Sequence, residues 1–561
     1  MKILRILLLL AFVFVIVLAV AAYFAFREPS IAKNSVLRLT LNGDIPEFRA
    51  NEGLDALLGR PQPTMFTYFR KLKQASHDPN IAGMVLRLKS YSMGVGKIEE
   101  LRSLIREFKA NGKWTACHAD TFGEFGPGTG SYYLASACDT VDLNPIGELN
   151  LTGLHAEVMF LRGTLDKLHI IPDFDHIAEY KTASDTFTEK AMTPANREMM
   201  ESLVGNIYGH LVDDIAAARH LKPEAVRAAV DRAPLNARDA LQAKLVDGLM
   251  FEDEFEDAIK ARSGGKLNIV DDADYSIEDS GGEKIAVIFG MGEIFMGESA
   301  SSPFGGSATM GSETYVKAFK QARKDPSIKA VVFRVDSPGG SAIASELIRH
   351  ELVKTKKEKP VVVSMSDVAG SGGYWVAMSA DKIVAQPSTL TGSIGVLVGK
   401  FNTSGFWSDL LGITYGEVSA GKNADYYSSL KNFTPEQKQA MRAFMEEIYD
   451  DFVKHVAEGR KLTVEEVRRI AKGRVWTGAQ GLDLKLVDRL GGLEAAIEEA
   501  RKLAKIPADA SVELVPYPKK KTFFDALFNR QSDVQMLIEQ LRTGRILSNG
   551  PLLCPYTVTF K

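Results

Sequence analysis

Val361-Val362-Val363-Ser364-Met365-Ser366-Asp367-Val368-Ala369-Gly370-Ser371-Gly372-Gly373-Tyr374-Trp375-Val376-Ala377 decides how this chain is read. The β-branched run predicts a buried strand, the small residues around Ser371 a tight turn, and the residues after it a helix. At such a turn the free N–H groups of the helix point at the serine, where they can stabilise an oxyanion. A glycine-rich turn needed only for packing gives the same pattern.

The surroundings repeat. Asn42-Gly43-Asp44-Ile45 returns 249 residues later as Met291-Gly292-Glu293-Ile294, and Ile81 to Arg87 returns 247 later as Ile328 to Arg334. Tyr132-Tyr133-Leu134-Ala135 matches Tyr374-Trp375-Val376-Ala377 at 242, and Lys244-Leu245-Val246-Asp247 matches Lys485-Leu486-Val487-Asp488 at 241. A collinear order with a small drift describes two copies of one domain, over 30–262 and 283–505, with an extension over 506–561. Ser263-Gly264-Gly265 and Ser280-Gly281-Gly282 bracket an acidic connection. Apolar runs alternating with helical patterns make the class α/β. Strands are predicted over Ile285–Phe289, Ala330–Val335, Pro360–Met365 and Lys382–Ala385. A capped helix opens at Thr434-Pro435 with Gln437, carries Met441, Phe444, Met445, Ile448 and Phe452 on one face, and stops near Gly459.

Composition narrows the setting. In 561 residues, 68 Lys+Arg against 71 Asp+Glu leave a net charge of -3, without the basic surplus that a nucleic-acid partner requires. Cys117, Cys138 and Cys554 make no disulfide framework or metal-ligand spacing, and HExxH is absent, so no metal or other cofactor is expected. Residues 6–26 carry no charge and as a helix span roughly 30 Å, a bilayer core. With Lys2 and Arg5 ahead of them, they predict a single transmembrane anchor that leaves the rest of the chain extracytoplasmic. A cleaved signal peptide ending near Ala19-Val20-Ala21 is the alternative, with the same topology for the bulk.

A second turn, Asp336-Ser337-Pro338-Gly339-Gly340-Ser341, leaves the strand ending at Val335 and leads into a helix with Ile343, Leu347, Ile348 and Leu352. Its glycine amides can line an oxyanion hole beside Ser371, or form a plain type II turn. A nucleophilic serine needs a base. His455, beside Asp451, is the only histidine after Ser371, and Asp214 matches it in the first copy, which reads as helix surface; His176 and His350 are no stronger. Lysine ionises near 10.4, so a lysine base needs a downward shift of about three units, hence burial. Lys181, in Glu179-Tyr180-Lys181-Thr182-Ala183 after the strand-like Ile170-Ile171-Pro172-Asp173-Phe174, is the candidate, with burial expected against Tyr180 and the second domain.

Asp336 to Ser341, Gly370-Ser371-Gly372-Gly373-Tyr374-Trp375, Thr391-Gly392-Ser393-Ile394-Gly395 and Glu179 to Ala183 together resemble the Ser-Lys signal peptide peptidases, in the long, duplicated, membrane-anchored form of the protease IV family. The resemblance implies a ClpP/crotonase-like fold in both halves. It also implies Ser371 as nucleophile, Lys181 as base, Ser393 as the hydroxyl that orients the lysine, and backbone amides of Gly340 and Gly372 as the oxyanion hole. It further implies signal peptides and similar apolar peptides as substrates, contact with membrane lipid through the anchor, a bowl-like homo-oligomer, expected as a tetramer, and a place in the bacterial inner membrane with periplasmic catalytic domains. The repeat agrees on the division of labour: Ser371 falls on Thr129 in the first copy and Lys181 on Ala424 in the second, with Lys422 two positions away. Tyr91-Ser92-Met93-Gly94 replaces the glycine pair in the first copy, while Thr129-Gly130-Ser131 still offers hydroxyls. A crotonase-type acyl-CoA enzyme and a non-catalytic chamber-forming scaffold are the rival readings. The segment 523–561, with Phe523, Phe524, Leu527, Met536, Leu537 and Leu541, can pack on a neighbour or finish the domain.

Overall fold

The computed structural model describes residues 31–49, 63–278, 281–299 and 309–519, and the backbone of Leu552–Leu553. The anchor expected over 6–26, Cys554 and most of 506–561 lie outside the described residues. Among the described residues no helix is long and apolar enough to cross a membrane.

In the first half, parallel strands β1 (Ser35–Asp44), β2 (Ile81–Ser92), β3 (Trp114–Ala119), β4 (Thr140–Leu143), β5 (Gly248–Leu249) and β6 (Ile269–Asp271) lie in the order 5-4-3-2-1-6. In the second, β7 (Glu283–Met291), β8 (Ile328–Ser337), β9 (Val361–Gly370), β10 (Lys382–Ala385), β11 (Arg489–Leu490) and β12 (Val512–Tyr517) lie parallel in the order 11-10-9-8-7-12. The two orders are one order, so the repeat read from the sequence is a repeat of topology. Both sheets run past the stretches 30–262 and 283–505: β6 forms inside the expected connection, where Arg38 grips Asp271 at 2.6 Å, and β12 belongs to the expected extension. Short strands carry little periodicity, which is why sequence alone stopped early.

Helices α1 (Met65–His77), α2 (Val95–Ala110) and α3 (Glu252–Arg262) belong to the first half; α4 (Ser312–Lys324), α5 (Ala342–Lys356), α6 (Pro435–Arg460) and α7 (Leu493–Leu503) to the second. Alternation along the second sheet sends Ile285, Val287, Val332 and Val362 to one face and Ala286, Ile288, Val331 and Val363 to the other. The first set joins α7 and the first half in one continuous core, with Phe48 stacked on Phe289 at 4.6 Å. The second set packs under α4, α5 and α6. The matching outer face of the first sheet, Val36, Val85 and Ala116, is covered among the described residues by Phe255 and Ile259 of α3, beside a cavity of about 590 Å³.

Helix α6 has the expected reciprocal cap between Thr434 and Gln437, but Phe444 is exposed, because the buried stripe runs Met441, Met445, Tyr449, Phe452, Val456. Likewise α5 buries Ile348 and Leu352 while Ile343 and Leu347 face outward, 62% and 41% exposed. The two halves are also tied by an antiparallel ribbon, Ile171–Ile177 against Val396–Asn402.

Candidate active site

Strand β9 ends in a bend that places Ser371 at φ 55° and ψ -115°, a left-handed conformation that strains a residue with a β-carbon. Ser371 N donates to Gly392 O at 2.8 Å, and the helix Gly372–Ala377 follows at once. That helix can sit against the second turn because its first residues are glycines: a β-carbon on Gly372 would come within 3.0 Å of Gly340 N and 2.7 Å of Ser345 Oγ. Gly339 and Gly340 take φ of 105° and 147°, open to glycine, and Gly339 N donates to Ser337 Oγ at 3.2 Å. The described backbone of Leu552–Leu553 pairs antiparallel with Gly339–Gly340.

Lys181 reaches this point from the other half. The ribbon brings its segment across, and Tyr180 N donates to Lys472 O at 2.8 Å. Gly473, at φ 74°, lies so close that a β-carbon there would be 2.5 Å from Lys181 N. Lys181 Nζ donates to Ser371 Oγ at 2.7 Å, to Ser393 Oγ at 3.0 Å and to Ser393 O at 3.1 Å. Lys181 and Ser393 are 1% exposed and Ser371 0%. Ser393, at φ 53°, is held by its own N–H donating to Arg474 O at 2.8 Å. The Tyr180 hydroxyl donates to Glu198 at 2.9 Å, and Gly473 packs directly against the Lys181 backbone.

Ser371, Lys181, Ser393, Gly340 and Gly372 thus converge. The other candidates do not join them. Lys422 and Ala424 lie exposed in a surface turn; His455 packs edge-on against Trp375, with ring centroids 6.1 Å apart. His350 is exposed, His176 bonds Ala178 O through Nδ1 at 2.9 Å, and Asp214 accepts from Tyr133 Oη at 2.6 Å. Thr129 is buried with its hydroxyl donating to Gly153 O at 3.1 Å, and Ser131 lines the cavity of the first half. Among the described residues no group of three or more His, Cys, Asp or Glu could hold a metal ion.

Charged residues that the sequence reading passed over lie behind the site. Arg334, buried in β8, pairs with Glu47 at 2.9 Å and with Glu100, and donates to Ser364 Oγ at 2.8 Å. Burial opposes its charge, but Glu100 and Glu47 outweigh it and raise its pKa. Lys97 of α2 meets Asp336 at 2.8 Å and Asp367 at 3.0 Å. Glu99 accepts from Ser388 Oγ at 2.5 Å, and burial pushes its carboxyl up to about 8 against that bond. The one usable signal was Arg334, a charge inside the otherwise apolar run Ala330–Val335.

The model of peptidase family S49 matches residues 124–264 and 353–507, one stretch in each half. The chain is 33% identical over 515 residues to the chloroplastic serine protease SPPA of Arabidopsis thaliana, covering 89% of this chain and 73% of that protein. It is 35% identical over 461 residues to Protease 4 of Salmonella typhi, covering 79% and 72%. A putative signal peptide peptidase SppA of Enterococcus faecium is 33% identical over 213 residues, 38% of this chain and 61% of that protein. With a family model matched in both halves and relatives alike over most of their length, the chain belongs to peptidase family S49, and it is a serine protease.

Proposed function

We propose that this protease is a membrane-anchored endopeptidase using a Ser371-Lys181 dyad to degrade cleaved signal peptides and similar apolar peptides on the extracytoplasmic side of the bacterial inner membrane. The observation that carries the dyad is the 2.7 Å approach of Lys181 Nζ to Ser371 Oγ, with both residues buried. A lysine base must be neutral in its working state, which burial favours. The neutral amine accepts the Ser371 proton as Oγ attacks the scissile carbonyl carbon, with Ser393 Oγ holding the amine on line. The carbonyl oxygen, now an oxyanion, takes hydrogen bonds from Gly340 and Gly372 N–H, and the ammonium returns its proton to the leaving amine. Water, deprotonated by the same amine, then hydrolyses the acyl-serine. The name of the Enterococcus relative supports the substrate class, and the uncharged run 6–26 supports the anchor. We read each half as a ClpP/crotonase-like domain, the first spanning 30–262 with β6 added to its sheet and the second 283–505 with β12 added.

Repeat geometry supports self-association. Glu47, Gly96 and Glu100 of the first half lie against the second half, and their counterparts Met296, Ile343 and Leu347 are exposed. The outer face of the first sheet, beside the 590 Å³ cavity, corresponds to the surface that receives them. Head-to-tail docking of second half on first half would repeat the internal contact and close a ring, read as a tetramer.

The test is labelling by a fluorophosphonate probe together with hydrolysis of a fluorogenic apolar peptide. Both should vanish in Ser371→Ala. Hydrolysis that persists in Ser371→Ala would sink the dyad, and a wild-type chain inert to both would favour a scaffold.

A further inference from the structure

Two strand exits build the site: β8 delivers the glycine amides, and β9 delivers the nucleophile. Asp336 stands three residues before Gly339, and Asp367 four before Ser371. Their carboxylates converge on one ammonium from the other half, with Lys97 Nζ at 2.8 Å from Asp336 Oδ2 and 3.0 Å from Asp367 Oδ2. The same two acids are tied a second time through the backbone: Lys97 N donates to Asp367 Oδ1 at 2.9 Å, and Val368 N to Asp336 Oδ1 at 3.2 Å.

The approach is built for closeness. Gly94, the residue that caps α2, has no side chain to accept the helix's first amides; a β-carbon there would collide with the Asp367 carboxyl, and one on Gly96 would lie 3.0 Å from Ser366 O. Asp367 accepts the third amide of α2, the bond an N-cap side chain makes, so a strand of the second half caps a helix of the first and sits in its favourable dipole. The arrangement exists once, since the counterpart of Lys97 in the second copy is Ala344.

We propose that Lys97 is a positioning residue for the Ser371 reaction, clamping the exits of β8 and β9 so that Ser371 Oγ and the Gly340 and Gly372 amides keep their mutual distance. It touches no substrate. Without its charge a buried carboxylate, Asp367, and a half-buried one, Asp336, face each other, and like charges part or take up a proton. Burial opposes the Lys97 ammonium, yet Asp336, Asp367 and Glu47 together hold its pKa well above that of a free lysine, so it remains a cation and is no second base. The first half therefore contributes two lysines with opposite duties, Lys181 to move a proton and Lys97 to keep one.

The inference rests on Ser371 being the nucleophile, so Ser371→Ala is run alongside; turnover surviving in it overturns that reading and this one with it. With that control silent, Lys97→Met should lower kcat by about 10- to 100-fold with KM within about threefold, because oxyanion geometry is felt in the transition state. A peptide aldehyde, which forms a tetrahedral adduct on Ser371, should lose affinity by the same factor as kcat/KM, while the matching peptide alcohol binds unchanged. The triple variant Lys97→Met, Asp336→Asn, Asp367→Asn leaves no buried unpaired charge and keeps the folded-state test open if the single variant fails to fold; it should remain at least tenfold slow. A wild-type kcat in the folded single variant, or in the triple variant, overturns the proposal, as does an equal loss of aldehyde and alcohol affinity.

Discussion

Replacing Lys181 by methionine removes the amine while filling most of its channel. Three hydrogen bonds from Nζ disappear, to Ser371 Oγ, Ser393 Oγ and Ser393 O. In the proposed dyad the first carries the proton transfer, and loss of a positioned general base lowers turnover by about 10² to 10⁴-fold. At about 1.4 kcal/mol per decade, this is about 3 to 5.5 kcal/mol of transition-state stabilisation. Stability should hardly follow. Three lost bonds remove about 1.5 to 4.5 kcal/mol, and the gain from no longer burying an amine offsets much of it, so a net change within about 2 kcal/mol is expected. Single-turnover hydrolysis of a fluorogenic apolar peptide, with thermal melting by circular dichroism, reads both numbers. Lys422→Ala, at an exposed turn, should be silent in each. A Lys181→Met enzyme that keeps more than a tenth of the wild-type rate, or a Lys422→Ala enzyme that loses it, would refute the cross-half dyad.

Ser393→Ala should lower kcat by about 10- to 100-fold while leaving melting nearly unchanged, since it frees the amine to swing without unfolding its loop; full activity would remove Ser393 from the mechanism. The Glu99 carboxyl is pushed from 4.5 up to about 8, so its contribution to stability is complete below pH 4.5 and fades as pH rises toward 8. Glu99→Gln should therefore flatten the decline, gaining on the order of 3 to 4 kcal/mol relative to wild type between pH 5 and pH 8 in melting experiments; parallel pH curves would contradict this. Leu347→Asp should reduce the mass of the detergent-solubilised protein by light scattering, and an unchanged oligomer would exclude the α5 face as the contact.

What the sequence disclosed depended on how local the signal was. Ser371 stood out because one strand, one turn and one helix carry it, and its glycines mark the close approach to Gly340. The repeat stood out because collinear motifs survive loop insertions. The enclosure of Lys181 was less legible: it depends on Gly473, nearly 300 residues along, whose reason for being glycine is visible only once the halves are docked. Lys97, Asp336 and Asp367 look like ordinary charges, since nothing local distinguishes an aspartate that caps a helix of another domain from one in solvent. The outward turn of Ile343 and Leu347 escaped for a similar reason: an apolar residue on a helix reads as core until the neighbouring surface is known.

In the proposed dyad, the span between the reacting groups governs when the enzyme can first act. Lys181 and Ser371 are 190 residues apart, and Ser393 lies 212 beyond the lysine. At about 5 to 20 residues per second, a ribosome takes roughly 10 to 40 seconds to go from Lys181 to Ser393. No nascent chain that stops short of Ser371 holds a nucleophile, and one that has passed it must still dock its two halves. On the proposed dyad, the duplicated protease therefore stays silent until Ser393 has been made and the two halves have docked.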